Sequence, residues 1–219
     1  MSIYLGNTEI GQIYLGNTEI SEAYLGSTKV FENNPTPPPY DAKIEYLRST
    51  GMQYVKTNIN GNARIIGCAQ SSSINGSSTT LISSNNLGNS GCWYGEALST
   101  TKWGVGGGEG NYSNVLSTTK ATFDIDFGAT EITGTVNAES ISRTIQVNRS
   151  EWSIFASSTG GYAFSGKVFY IKIYKDNSLV RDFIPVRVGS TGYMYDKVSG
   201  QLFGNAGTGD FILGNDINT

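Results

Sequence analysis

Apolar positions along this chain recur at every second residue, in short runs. ATFDIDF at residues 121–127 sets Phe123, Ile125 and Phe127 on one side of an extended strand and Asp124 and Asp126 on the other. KVFYIKIY at 167–174 alternates likewise, with Phe169, Ile171 and Ile173 predicted inward and Tyr170, Lys172 and Tyr174 outward. Lys175-Asp176-Asn177-Ser178 then turns the chain into residues 179–186, which predicts a hairpin. Upstream, residues 43–47 and 53–57 flank a Ser-Thr-Gly turn, and the tail GYMYDKVSGQLFGNAGTGDFILG reads as short strands punctuated by glycine. No stretch carries a convincing amphipathic helical period. Short strands with turns at this spacing predict an all-β chain whose long C-terminal part is a sandwich or jelly roll.

The first residues follow a different rule. IYLGNTEI stands at 3–10 and again at 13–20, and an edited copy, AYLGSTKV, follows at 23–30. Gly6-Asn7 suits a two-residue hairpin loop, because both residue types tolerate positive φ. Leu5 then faces Thr8, Tyr4 faces Glu9 and Ile3 faces Ile10, and the same pairing is expected in the other two copies. Each unit has an apolar face too small to stand alone. Ile3, Leu5, Ile13, Leu15 and Leu25 are therefore candidate contacts for attachment or self-association; the alternative is that these are the first strands of the main domain. Asn33-Asn34-Pro35-Thr36-Pro37-Pro38-Pro39 favours an extended spacer. The expected organisation is a β-repeat module over 1–32, a proline-rich neck over 33–39 and a β domain over 40–219.

Composition narrows the function. Net charge is −3 with no Lys/Arg cluster, which argues against nucleic acid. No apolar run reaches membrane-spanning length, and MSIYLG has neither a basic nor an apolar leader region, so no secretory signal is expected. Cys68 and Cys92 either pair or stay as two thiols; one pair makes no disulfide framework. The chain has 0 histidines, which removes Ser-His and Cys-His nucleophiles and the commonest metal ligand. Chemistry would have to rest on carboxylates. GVGGGEG at 104–110 lacks the Lys-Ser/Thr ending of a phosphate loop and is expected to be a loop or a glycine-relieved strand. Neither a cofactor nor a metal site is expected.

Three stretches, KIEYLRSTGMQYVKTNI (43–59), FSGKVFYIKIYKDNSLVRDFIPVR (164–187) and GYMYDKVSGQLFGNAGTGDF (192–211), together resemble the concanavalin A-like (LamG-type) jelly-roll domains of gut bacteria and their bacteriophages. The opening repeat resembles short Tyr-Leu-Gly-Asn-Thr-Glu-Ile units at the start of phage virion proteins. The resemblance implies a head fibre or tail-associated fibre protein, attached to other virion proteins through its repeats and exposed on the particle, as a homo-oligomer with a trimer favoured.

Related jelly-roll glucanases carry a Glu-x-Asp-x-(x)-Glu strand. Here Asp124-Ile125-Asp126-Phe127 has no glutamate at either end, so a non-enzymatic role is expected and the two aspartates read as a solvated outer face. Arg181-Asp182 reads as a structural ion pair or tether. For glycan binding, GCWYGEALSTTKWGVGGGEGNYSN (91–114) gathers Trp93, Tyr94, Trp103 and Tyr112 among Gly, Asn and Glu. The tryptophans also suit core packing. The expected function is therefore a non-enzymatic phage structural protein that binds host-surface or mucus glycans. The alternatives are a bacterial cell-surface carbohydrate-binding or adhesin domain, and a carbohydrate-active enzyme.

Overall fold

A computed structural model describes residues 3–5, 8–10, 13–15, 18–20, 22–32, 37–72, 79–84, 93–96, 102–106, 111–144, 150–157 and 159–217. The chain divides into two compact units, Met1–Pro38 and Pro39–Thr219. All regular structure among the described residues is β.

The first unit contains β1 (Ile3–Leu5), β2 (Thr8–Ile10), β3 (Ile13–Leu15), β4 (Thr18–Ile20), β5 (Glu22–Leu25) and β6 (Thr28–Glu32), arranged as three separate two-stranded sheets. In the first two hairpins Ile pairs with Ile, Tyr with Glu and Leu with Thr, the register that the repeat predicts. The third departs from it. Tyr24 faces Lys29 and Leu25 faces Thr28, but a bulge then sets Ala23 opposite Phe31 instead of Val30. Glu22 spans this kink, accepting hydrogen bonds from Lys29 Nζ (2.7 Å) and the Tyr24 hydroxyl (2.8 Å). Gly26 takes φ +64° in its turn, a conformation that costs glycine little.

The second unit runs β7 (Ala42–Lys43), β8 (Leu47–Thr50), β9 (Val55–Asn60), β10 (Ala63–Ser71), β11 (Thr79–Ser83), β12 (Trp93–Glu96), β13 (Lys102–Gly106), β14 (Asn111–Leu116), β15 (Ala121–Phe127), β16 (Glu131–Val136), β17 (Glu139–Thr144), β18 (Glu151–Ile154), β19 (Ser165–Lys175), β20 (Ser178–Val188), β21 (Thr191–Asp196), β22 (Gln201–Phe203) and β23 (Ile212–Leu213). The larger sheet is ordered β17-β16-β15-β10-β19-β20-β21-β22, with β8 and β23 beside the start of β19 and β7 on β20. The smaller is ordered β14-β13-β12-β11-β18-β9. Ile65, Phe123, Ile125, Ile171 and Ile173 from the larger sheet and Leu81, Trp103, Val105 and Trp152 from the smaller form one buried cluster. Phe127 of one sheet and Trp152 of the other meet with ring centroids 4.6 Å apart. This is a β-sandwich.

Two local expectations change. Residues 43–47 and 53–57 do flank a turn, at Gly51 (φ +96°), but the strands on its two sides diverge. β8 joins the larger sheet and β9 pairs with β18 in the smaller. Phe169 is not in the core. Cys68 faces Tyr170 and the next residue, Ala69, faces Val168, so Phe169 is the extra residue of a bulge. Val168 takes the inward place at 0% exposure, and Ile171 and Ile173 are buried as expected. The β19–β20 turn has positive φ at Asp176 (50°) and Asn177 (62°), the pattern of a two-residue hairpin loop.

The phrases that carry the family resemblance act as internal staples. Arg181 and Asp182 do not pair with each other. Arg181 donates to the Thr57 carbonyl (3.1 Å) and lies 3.5 Å from the fully buried Asp196, while Asp182 pairs with Lys197 at 2.8 Å. Asp196 accepts from the backbone N–H of Asp182, Val198 and Ser199 and from the Ser199 hydroxyl. The Asn205 side chain ties Tyr54, Gly207 and Gly209 together.

Candidate ligand-binding groove

Two of the four aromatic residues singled out in 91–114, Trp103 and Tyr112, lie on opposite faces of the smaller sheet. Trp103 has 0% exposure and packs on Phe164 at 5.7 Å. Tyr112, half a turn of pleat away, lies over Gly104 on the opposite face of the smaller sheet, where a Cβ at 104 would collide with its ring. The glycine-rich stretch is thus a strand over Gly104–Gly106 relieved for Tyr112, and 107–110 lie outside the described residues. Trp93 and Tyr94 sit on β12 opposite Gly106 and Val105; their side chains lie outside the described residues.

A different surface gathers aromatic rings, the outer face of the larger sheet. β10 and β19 run antiparallel, so every second residue of each points away from the core. One row crosses five strands in register: Thr135, Asp124, Ile66, Lys172 and Asp182. Lys197 extends it through its ion pair with Asp182. Along this row a groove of about 550 Å³ is floored by Ile66 and by Tyr170, Lys172 and Tyr174 of β19, with Phe169 at one end and Ile184 of β20 along one side. The Phe169 bulge matters here, because it places two consecutive aromatic residues on the outer face. Phe169 meets Tyr46 edge-on at 5.9 Å, and Lys120 Nζ stands 3.9 Å above its ring. Lys167 Nζ stands 4.2 Å above Tyr46. Tyr195, opposite Ile184, packs edge-on against Tyr40 at 4.9 Å.

Burial raises the Tyr170 hydroxyl above the usual phenol range, with Cys68 beside it adding to the effect. Burial likewise raises the Cys68 thiol, against a smaller opposing pull from Lys120. Both groups are therefore neutral at neutral pH. Tyr170 offers a ring face and a hydroxyl, the amphipathic surface that suits a ligand with apolar faces and polar rims.

The face continues past Tyr174. A depression of about 210 Å³ is lined by Tyr174, Arg64, Asp126 and Asn177, and one of about 310 Å³ by Arg64, Asp124, Asp126 and Thr135. Arg64 holds Asp124 through two parallel hydrogen bonds, so both carboxylate oxygens of Asp124 are engaged. Among the described residues Asp182 is the one carboxylate that lines the aromatic groove, and Lys197 holds it. Acid–base hydrolysis of a glycosidic bond needs two carboxyl groups flanking that bond, and among the described residues this groove is lined by Asp182 alone. Among the described residues no three Cys, Asp or Glu side chains gather to hold a metal ion.

Of the residues considered for attachment, Leu15 and Leu25 are each 76% exposed, at the ends of β3 and β5. The side chains of Ile3, Leu5 and Ile13 lie outside the described residues. No protein-family model matches the chain, and no curated protein matches it.

Proposed function

We propose that this protein is a non-enzymatic adhesion subunit of a bacteriophage particle. Its hairpin repeats attach it to the virion, and its sandwich holds glycans of the host surface or mucus along the outer groove of the larger sheet. The observation that carries the binding role is the groove itself: Tyr170, Tyr174 and Phe169 half-exposed around Ile66 and Ile184, with hydroxyl, ammonium and carboxylate groups at the rim. Saccharides are held by aromatic faces against their C–H patches and by a few placed polar groups. The virion setting rests on the resemblance of the opening repeats to those of phage fibre proteins. Exposed Leu15 and Leu25 on two-stranded hairpins support burial against other chains, in a trimer of this protein or on another virion protein.

A glycan microarray probed with the full-length protein tests the binding role. Specific saccharide binding that Tyr170→Ala and Tyr174→Ala both abolish, without lowering the melting temperature, is the expected result. Binding that survives both substitutions would remove the groove from the function, and release of reducing sugar from a bound glycan would replace adhesion with hydrolysis. Light scattering addresses attachment: a full-length protein that is monomeric at micromolar concentration would leave docking on a different virion protein as the role of the repeats.

A further inference from the structure

Resting on that reading, we infer that the groove selects acidic saccharides, those carrying carboxylate or sulfate groups. The chain as a whole has net charge −3, yet the surface around the groove is cationic. Lys120, Lys167, Lys172 and Lys197 surround it, and Arg48 stands beside Lys167 in register. Of the anions next to its floor, Asp182 is engaged by Lys197 at 2.8 Å and Asp124 by Arg64, while Asp126 lies farther along the face beyond Tyr174. The ammonium groups of Lys120 and Lys167 rest on ring faces, at 3.9 and 4.2 Å from the centroids of Phe169 and Tyr46. A cation on an aromatic face keeps N–H donors directed away from the ring. Lys172 lies between Ile66 and Asp182 at the centre of the floor.

A sugar ring laid against Tyr170 and Tyr174 would bring a ring substituent within the reach of Lys172 and Lys120. A neutral hydroxyl there takes one hydrogen bond. A carboxylate or sulfate takes charge-assisted bonds of about twice the strength. The partly buried setting screens those bonds less than open solvent would. Charge complementarity thus sets the class of ligand, and the aromatic floor sets that it is a saccharide and not a generic polyanion.

The test uses full-length protein and chemically matched probes in isothermal titration: polygalacturonate against its methyl ester, dextran sulfate against dextran, and polyglutamate as an acidic polymer without sugar rings. At least one acidic polysaccharide is expected to bind about tenfold or more tightly than its neutral counterpart, and which pair shows the preference separates carboxylate from sulfate. Lys172→Gln and Lys120→Gln are each expected to erase most of that preference, weakening the acidic member of a pair far more than its neutral counterpart, with the melting temperature unchanged. Tyr170→Ala should remove binding of both members of a pair. Equal affinity for acidic and neutral members overturns the acidic preference and leaves glycan adhesion standing. Polyglutamate binding as tight as that of the acidic polysaccharides overturns saccharide selection in favour of an acidic protein partner. No binding of any polysaccharide overturns both this inference and the adhesion role on which it rests.

Discussion

The hairpin β3–β4 and the hairpin β19–β20 have the same plan. Both pair antiparallel, and in both the strand sequence sets an aromatic residue next to a β-branched or leucine one. Their surroundings differ. Leu15 at the end of β3 is 76% exposed, whereas Ile171 in β19 has 0% exposure beneath the second sheet. The comparison separates two things that a repeat makes look alike. Register is a local property, set by the turn and the alternation of side chains. Stability comes from what covers the strands, and a two-stranded ribbon has little of it alone.

The sharpest way to break this contrast is Ile171→Ala. It should cost about 2–5 kcal/mol in urea unfolding, because it empties a packed site between the sheets. A loss below about 1 kcal/mol would mean that β19 is no better covered than the repeats. Asp196→Ala should come next, at about 1–3 kcal/mol, since it leaves the buried N–H of Asp182 without its acceptor. Leu15→Ala should change unfolding of the second unit by no more than about half a kcal/mol. If the repeats assemble chains, the same substitution should shift the light-scattering mass at low protein concentration, which an isolated hairpin would not.

The smallest effect concerns pH. Hydrogen bonding to Arg187 holds the Asp216 carboxyl below the ordinary carboxylate range. A carboxyl depressed on folding adds stability above its unfolded value and loses it as pH falls through the folded one. Asp216→Asn should therefore slightly flatten the loss of stability between neutral pH and about pH 3. An unchanged acid slope would show that this exposed pair contributes nothing.

What could be read from the sequence follows the same division. The pairs Ile3–Ile10 and Ile13–Ile20, the inward set Phe123, Ile125 and Phe127, and the Asp176-Asn177 turn were legible, because each depends on residues within ten positions of one another. The bulges at Ala23 and Phe169 were not. An extra residue in one strand is defined by the partner strand, and alternation alone carries no sign of it. The groove was half legible. Tyr170, Lys172 and Tyr174 read as outward, but Ile66, Asp182, Ile184 and Lys197 reach them from other parts of the chain through a sheet order that periodicity does not encode. Trp103 shows the converse hazard, since a cluster of aromatics in sequence can be split between the two faces of one sheet.

The divergence of β8 and β9 across Gly51 also has a consequence in time. β8 finds its neighbours in β19 and β23, and β9 finds its neighbour in β18. The earliest strands of the sandwich therefore wait for the latest, and their edges have no partners until residues 151–154, 165–168 and 212–213 have left the ribosome. Pairings this distant in sequence slow folding, and unpaired edges invite association between chains. Closure of this sandwich therefore follows the emergence of β18, β19 and β23. A ribosome stalled short of Ile212 should carry a chain that proteases still cut between β8 and β9.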